Sequence, residues 1–177
     1  MSIRLVNGVY LADTARVVGE VTLEQDVNIW YGVSIRADVA PIAIGRGTNV
    51  QENTVIHCDT DRPNNVGADV TIGHGAMIHG AEVGDGSLIG MGAILLGGSR
   101  IGARCLIAAG ALVPPGLSVP DDTVFMGVPG KPVRKTRPQE RVSMRRAAEL
   151  YRSLARLHQE HPDDPKVRAW GVDSKAG

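Results

Sequence analysis

Three of the five histidines lie within 23 residues of one another, at positions 57, 74 and 79. Neutral imidazole nitrogens are common ligands of zinc, and three of them leave a tetrahedral metal one position open for water, as catalytic sites require. Solvated surface histidines are the alternative interpretation. The close spacing of His57, His74 and His79 favours a metal site, whereas His158 and His161 are predicted to be solvated residues of a helix.

Aliphatic residues recur every six positions, and this period predicts the fold. The predicted inward series is Val21, Val27, Val33, Val39, Ile44, Val50, Ile56, Val66, Ile72, Ile78, Val83, Ile89, Leu95, Ile101, Ile107, Val113 and Val119. Ordinary strands alternate with a period of two. A period of six instead predicts an all-β solenoid, with three short strands in each triangular coil and coils stacked about 4.8 Å apart. A narrow aliphatic interior also explains why 43% of the residues are apolar although only 3% are aromatic.

The pattern divides the chain into four predicted segments. These are a β-helix domain over 1–129, a linker over 130–138, a C-terminal α-helix over 139–161 and a polar tail over 162–177. The helix is predicted to pack along the solenoid or against a neighbouring subunit through one apolar stripe. That stripe comprises Val142, Ala147, Leu150, Tyr151, Leu154 and Leu157.

Composition excludes several classes of partner. The 19 basic and 19 acidic residues balance, so the net charge does not favour binding to nucleic acid.

The sequence also predicts where the protein is located. Apolar stretches are too short to span a membrane, and the first residues do not resemble a signal peptide. Two cysteines do not make a disulfide framework. The expectation is a cytoplasmic protein.

The six-residue register places the histidines at two corners of the coil. His57 follows Ile56 and His79 follows Ile78, so their side chains are expected to stack one coil apart. His74 lies two positions after an aliphatic residue and is expected on a different face. A single chain therefore supplies two ligands, and threefold packing of subunits would bring the third from a neighbour.

Three runs carry a family resemblance: NVQENTVIH at 49–57, IGHGAMIHG at 72–80 and IGMGA at 89–93. They resemble the γ-class carbonic anhydrases and their bacterial relatives, over about residues 10–135. The resemblance implies a left-handed parallel β-helix, a homotrimer and a divalent metal held by His57, His74 and His79. Zinc is the first choice of metal, with iron or cobalt as alternatives. The implied reaction is the reversible hydration of carbon dioxide to bicarbonate by a metal-bound hydroxide, chemistry for which carbonic anhydrases are the standard example.

The resemblance also implies roles for four further residues. Arg36 and Asp38 match an Arg-x-Asp motif that is implied to bridge subunits and orient polar groups, although a surface ion pair is the alternative. Gln51 matches a glutamine implied to hydrogen-bond the metal-bound water. By register, Arg36, Gln51 and His74 are expected to share one face. Tyr151 matches a helix tyrosine near the site in relatives, and packing in the apolar stripe is an equal alternative.

The chain departs from the family pattern beside the first histidine. A long acidic loop with a glutamate proton shuttle is replaced by a short segment, 58–65, whose acids are Asp59 and Asp61. Val39 stands where a second carboxylate is expected. Proton transfer by a positioned side chain raises the rate of a reaction roughly 10²–10⁴-fold. This departure therefore affects the expected turnover rate rather than the expected metal binding. Cys58 is predicted to point outward as a bystander.

Two other functions remain open. Hexapeptide acyltransferases share the solenoid and use a single histidine as base, and a metal hydroxide can also hydrolyse a thioester. A metal-binding scaffold without activity is the third interpretation.

Overall fold

The six-residue period folds into coils of three short strands, seen in a computed structural model that describes residues 2–80 and 82–169. The strands and the helix, in chain order, are β1 (Ile3–Val6), β2 (Val9–Ala12), β3 (Arg16–Leu23), β4 (Asn28–Ile29), β5 (Ser34–Ile44), β6 (Asn49–Val50), β7 (Val55–Ile56), β8 (Asn64–Val66), β9 (Thr71–Ile72), β10 (Met77–Ile78), β11 (Glu82–Val83), β12 (Leu88–Ile89), β13 (Ile94–Leu95), β14 (Arg100–Ile101), β15 (Leu106–Ile107), β16 (Leu112–Val113), β17 (Ser118–Val119), β18 (Thr123–Gly127), β19 (Gly130–Lys135) and α1 (Pro138–Glu160). The predicted fold class, a parallel β-helix of hexapeptide repeats with a C-terminal helix, is confirmed.

The strands stack into three faces. Face one is built from β2, β4, β6, β9, β12, β15 and β18. Face two contains the first part of β5 with β7, β10, β13 and β16, and face three contains the last part of β5 with β8, β11, β14 and β17. Strand β3 pairs with β5 along both of these faces. Pairing is parallel, except that β1 with β2 and β18 with β19 form antiparallel hairpins at the two ends of face one.

One aliphatic column fills the interior behind each face. The column residues are Ile29, Val50, Ile72, Ile89 and Ile107 behind face one, Ile35, Ile56, Ile78, Leu95 and Val113 behind face two, and Ile44, Val66, Val83, Ile101 and Val119 behind face three. Each is at most 3% exposed. Small residues such as Thr48, Ala76 and Cys105 fill the space beside these columns and are also buried. The core is thus narrow and aliphatic, as the composition indicates.

The predicted inward series is wrong before Ile44. Ile29 and Ile35 occupy the columns, whereas the predicted member Val39 is 38% exposed. Each hexad has two inward positions, and in this part of the chain both carry aliphatic residues, since Val27 and Val33 are buried as well. The six-residue period alone could not distinguish these two inward positions. In this part of the chain, the predicted residues therefore lie two positions before the residues that form the columns.

Glycines at one corner allow the backbones of successive coils to touch, which gives a testable prediction. A Cβ on Gly84 would lie 2.5 Å from the amide nitrogen of Ala103 and 2.6 Å from the carbonyl carbon of Gly102. Neither backbone atom can move without unstacking a coil, so Gly84→Ala is expected to lower the free energy of unfolding by about 3 kcal/mol. Denaturant titration at fixed protein concentration measures this.

Gly86 in the same coil provides the matched control. Its φ is +63° and a Cβ there would meet only the side chain of Arg104, at 3.9 Å. Gly86→Ala therefore has only backbone strain to overcome, about 1–2 kcal/mol. Equal losses in the two variants would contradict the role given to coil-to-coil contact.

The C-terminal elements differ from the prediction in two respects. The segment 130–138, predicted as a linker, contains β19, which pairs with β18 and closes the end of face one. Helix α1 begins at Pro138 and ends at Glu160, against a predicted span of 139–161. It lies over face one, against β1, β2, β4, β6 and β9.

The predicted apolar stripe of α1 is only partly correct. Met144, Ala148 and Ala155 are the buried residues, whereas Val142 and Leu150 are about half exposed. Tyr151 and Leu154 of the predicted stripe do pack against the core, and the small residues Ala148 and Ala155 are buried where the helix lies close to the strands. Of the predicted polar tail, 162–169 forms turns and bends, and 170–177 lies outside the described residues.

Two further predictions concern the membrane and the cysteines. In the described part of the chain no helix is long and apolar enough to cross a membrane. Cys58 and Cys105 are both free and buried. Cys58 therefore does not point outward as predicted: its thiol donates to the Ala40 carbonyl oxygen at 3.3 Å, and burial raises its pKa.

Candidate metal centre

Two of the histidines meet at the corner where face two ends. Strands β7 and β10 pair with Ile56 opposite Ile78, so His57 and His79, the next residue in each, lie one coil apart. Their ring centroids are 5.2 Å apart, and both side chains are partly exposed. The structure brings these two imidazoles together as the register predicts. We call this the paired-histidine corner.

Carboxylates face both imidazoles of the paired-histidine corner. The Nε2 atom of His57 is 3.2 Å from Oδ1 of Asp38, and the Nε2 atom of His79 is 2.9 Å from Oδ1 of Asp59. Arg36 donates to both oxygens of Asp38, at 2.7 and 2.6 Å, which holds the pKa of that carboxyl below its usual value. The corner thus presents two neighbouring imidazole rings beside the side-chain oxygen atoms of Asp38 and Asp59.

Arg36 belongs to this corner and not to the one predicted for it. In the pairing of β5 with β7, Ile35 lies opposite Ile56, which puts Arg36 beside His57. The prediction that Arg36 shares a face with Gln51 and His74 is therefore wrong. The cause is the two-residue error in the inward series before Ile44.

His74 lies at the opposite edge of face two, in the turn between β9 and β10. Its Nδ1 atom is 2.6 Å from Oε2 of Glu52 in the preceding coil, and its Nε2 atom is 3.2 Å from the hydroxyl of Tyr151 on α1. With Nδ1–H donating to the carboxylate, the lone pair of the imidazole is at Nε2. Gln51, the neighbour of Glu52, is buried and donates to Oδ1 of Asn49 at 3.0 Å. We call this the His74 corner.

An aromatic cluster supports the His74 corner. The Trp30 ring makes edge contacts with Tyr151 at 5.4 Å and with His158 at 5.2 Å between centroids. The Tyr31 hydroxyl lies 3.0 Å from Nδ1 of His158. Burial raises the pKa of Tyr151 and lowers the pKa of His158. His158 is thus part of the packing between α1 and face one, and the prediction of a solvated helix histidine is wrong.

A cavity of about 330 Å³ lies between α1 and face one, beside His74. Its walls are mostly aliphatic, with Leu88 and Leu106 from the solenoid and Ala147 from the helix. Polar groups of Gln51, His74 and Tyr151 also line it. Sequence patterns gave no indication of this cavity, since its walls join elements that are distant in the chain.

Two residues at the site were missed from the sequence. Asn64 is fully buried and donates to the carbonyl oxygens of His57, at 3.1 Å, and of Ile78, at 3.4 Å, so it ties together the two coils that carry the paired histidines. Glu52 fixes His74 as described above. The available signal for Glu52 was that it lies 22 residues before His74, one coil in this part of the chain.

One chain does not bring the three histidines together. Within residues 2–80 and 82–169, no group of three or more His, Cys, Asp or Glu side chains is close enough to hold a metal ion. The paired-histidine corner nevertheless has donor chemistry that suits a divalent metal, because two imidazole rings lie one coil apart with carboxylates beside them. The third imidazole lies across face two.

Known proteins resemble this chain in sequence and structure. The model of the bacterial transferase hexapeptide family (six repeats) matches residues 80–115. A probable carbonic anhydrase of Methanocaldococcus jannaschii is 40% identical over 147 residues, which are 83% of this chain and 92% of that protein. The mitochondrial gamma carbonic anhydrase 2 of Arabidopsis thaliana is 38% identical over 85% of this chain, although the match spans only 56% of the plant protein.

A solved structure shares the fold at similar identity. A putative acetyltransferase from Bacillus cereus superposes with a TM-score of 0.84 at 32% identity, covering 89% of this chain and 91% of that one. The chain thus resembles proteins named carbonic anhydrases in sequence, and a protein named a putative acetyltransferase in structure. The identity to the Methanocaldococcus protein, over nearly its whole length, shows that the chain belongs to the γ-class carbonic anhydrase-like family of hexapeptide-repeat proteins.

Proposed function

We propose that this protein hydrates carbon dioxide reversibly to bicarbonate, with a divalent metal held between subunits of a homotrimer. His57 and His79 of one subunit and His74 of the partner subunit supply the ligands. The observation that carries the proposal is the placement of the two histidine corners at opposite edges of face two. If face two is an interface between copies, one copy's paired-histidine corner meets the other copy's His74 corner.

The outward side of face two has the composition of an interface. From β7 onward its outward strand residues are Val55, Met77, Ile94 and Leu112, and the residue in register with Val55 in β5 is the polar Ser34. Val55 is 40% and Met77 42% exposed in the single chain. The equivalent residues of face three are polar: Asn65, Glu82, Arg100 and Ser118. An apolar column between two histidine corners supports burial of face two against another subunit.

The symmetry of such an assembly follows from its two unlike edges. An interface that joins one corner to a different corner is heterologous, and heterologous interfaces close into rings when the rotation between copies allows it. The family resemblance implies that this ring has three subunits. Each interface of the ring then holds one complete set of three imidazoles.

The chain's own residues would prepare the site as follows. Glu52 would hold Nδ1 of His74 so that the lone pair at Nε2 can bind a metal, and Asn64 would fix the spacing of the paired histidines. Gln51 would hydrogen-bond the reacting water. Arg36 and Asp38 would orient polar groups at the paired-histidine corner and bridge to the partner. A bound divalent metal would supply Lewis-acid activation of water at neutral pH.

Stopped-flow carbon dioxide hydration tests this proposal. Protein loaded with zinc, cobalt or ferrous iron is expected to show metal-dependent hydration that His74→Ala abolishes. His161→Ala, which removes an exposed histidine at the end of α1, is the matched control and should keep the rate. No metal-dependent rate above buffer in the unmodified protein would exclude the hydratase function.

The contact between Glu52 and His74 yields a separate prediction for metal affinity. Glu52→Ala is expected to weaken metal binding about 10–100-fold, the usual cost of removing a carboxylate that orients a histidine ligand. Glu52→Gln should lose less, because its amide oxygen still accepts from Nδ1–H. Competition with a chelating indicator dye measures the affinity. Glu82→Ala on face three is the control, and a Glu52→Ala protein with unchanged affinity would contradict the orienting role.

Thioester hydrolysis is the second candidate, favoured by the aliphatic cavity beside His74. Water would add to the acyl carbon and the C–S bond would break, giving a carboxylic acid and a free thiol. If the same preparation cleaves thioesters but does not hydrate carbon dioxide, thioester hydrolysis becomes the favoured function. Metal binding without either activity would indicate a scaffold.

A further inference from the structure

The cavity between α1 and face one is far larger than carbon dioxide requires. A water molecule occupies about 30 Å³ of liquid, so a cavity of about 330 Å³ has room for many times the three atoms of that substrate. Pockets for organic ligands begin at about 300 Å³. The size of the cavity therefore leaves room for an additional ligand with its own carbon skeleton.

The lining determines the chemistry of that ligand. Leu88, Leu106 and Ala147 form aliphatic walls, and among the described residues no Asp, Glu, Lys or Arg lines the cavity. An aliphatic cavity of this kind binds hydrocarbon and rejects ions. Phosphate-bearing or sugar-like ligands would leave polar groups without partners there.

The polar groups of the lining determine how the ligand would be oriented. The Tyr151 hydroxyl lies 3.2 Å from Nε2 of His74, and once that nitrogen binds a metal the hydroxyl can donate to a carbonyl or carboxylate oxygen at this cavity. The walls belong to the solenoid and α1 of one chain, so the cavity is already formed in a single subunit.

We propose that this cavity binds the linear hydrocarbon chain of an acyl compound, a carboxylate, ester or thioester, with its carbonyl group at the Tyr151 hydroxyl, beside His74. A chain of roughly eight carbon atoms fills the space, since a methylene group and a water molecule have similar volumes. The inference rests on the proposed function for the role of His74 and extends that site to acyl substrates.

Calorimetric titration with straight-chain carboxylates from acetate to decanoate tests the proposal on the metal-loaded protein. The head group is constant, so any trend reports on the chain alone. Affinity is expected to rise about fourfold for each added methylene and to level off near eight carbons. Affinity that does not depend on chain length would overturn the proposal. This holds also if the cause is that the cavity is closed, or filled by a partner subunit, in solution.

Two substitutions to phenylalanine on the same helix locate the binding. Ala147→Phe fills the cavity and should remove the chain-length dependence, whereas Leu150→Phe, at an exposed position, should keep it. Leu106→Phe fills the cavity from the opposite wall. It is used in place of Ala147→Phe if circular dichroism shows that Ala147→Phe is unfolded. An undiminished dependence in the filled variant would also overturn the proposal.

Hydration assays on the same preparations separate the two proposals. Hydration with no chain-length dependence removes the acyl site and leaves the hydratase. Chain-length dependence without hydration removes the hydratase and leaves the acyl site.

Discussion

Mixing His74→Ala subunits with His57→Ala subunits should restore metal binding that neither variant has alone. Each variant by itself lacks one ligand at every interface, so metal content should fall to background. In a mixed ring, an interface is intact when the paired-histidine corner of a His74→Ala subunit meets the His74 corner of a His57→Ala subunit. Random assembly from equal amounts gives this arrangement at about a quarter of the interfaces.

The control for this experiment mixes two lesions at the same corner. Subunits with His57→Ala and His79→Ala never combine into an intact pair, because both ligands must come from one chain. Co-refolding followed by elemental analysis of metal per subunit measures both mixtures. Recovery in the control, or none in the first mixture, would contradict a site shared across face two.

Met77→Asp should convert the proposed trimer into monomers and abolish the proposed metal binding. Met77 is in the middle of the apolar column of face two, and burying an unpaired carboxylate there costs several kcal/mol at each interface. Light scattering after size exclusion should give a mass near 18.7 kDa, that of one chain. Circular dichroism should remain that of the folded solenoid, since Met77 points away from the core.

Asn65→Asp introduces the same charge on face three and should leave the assembly intact. Asn65 is exposed and its strand neighbour is already the acid Glu82. Val55→Asp, one coil away from Met77 on face two, should reproduce the monomer. A trimer that survives both face-two substitutions would place the interface elsewhere.

The repeat was predictable because its physics is local. From Ile44 onward, one inward position of most hexads is large and the other is small, which fixes the inward series from the sequence. Before Ile44 both positions are aliphatic, and Arg36 was misplaced for that reason. The stacking of His57 on His79 could be predicted because both follow a correctly identified column residue.

Contacts between distant elements were not predictable in the same way. The role of Glu52 depends on how many residues make one coil, and that of Asn64 depends on the path of the segment after His57. Helix α1 was recognised by its period, but its buried side is set by how closely it approaches the strands, which the sequence pattern does not contain. The metal, the trimer and the location in the cell stay predictions.

The spacing of the column residues is constant at two of the three corners. Six positions lead from each face-one column residue to the next one on face two, as from Val50 to Ile56 and from Ile72 to Ile78. Six positions also lead from face three back to face one, as from Ile44 to Val50. At these two corners an inserted or deleted residue would shift the register of the coil.

The passage from face two to face three, by contrast, varies in length. Ten positions separate Ile56 from Val66, whereas five separate Ile78 from Val83. The paired histidines lie at this corner, so the chain there can lengthen or shorten without moving any column residue. A lineage can therefore exchange the segment beside the paired histidines while the scaffold that holds these histidines stays the same.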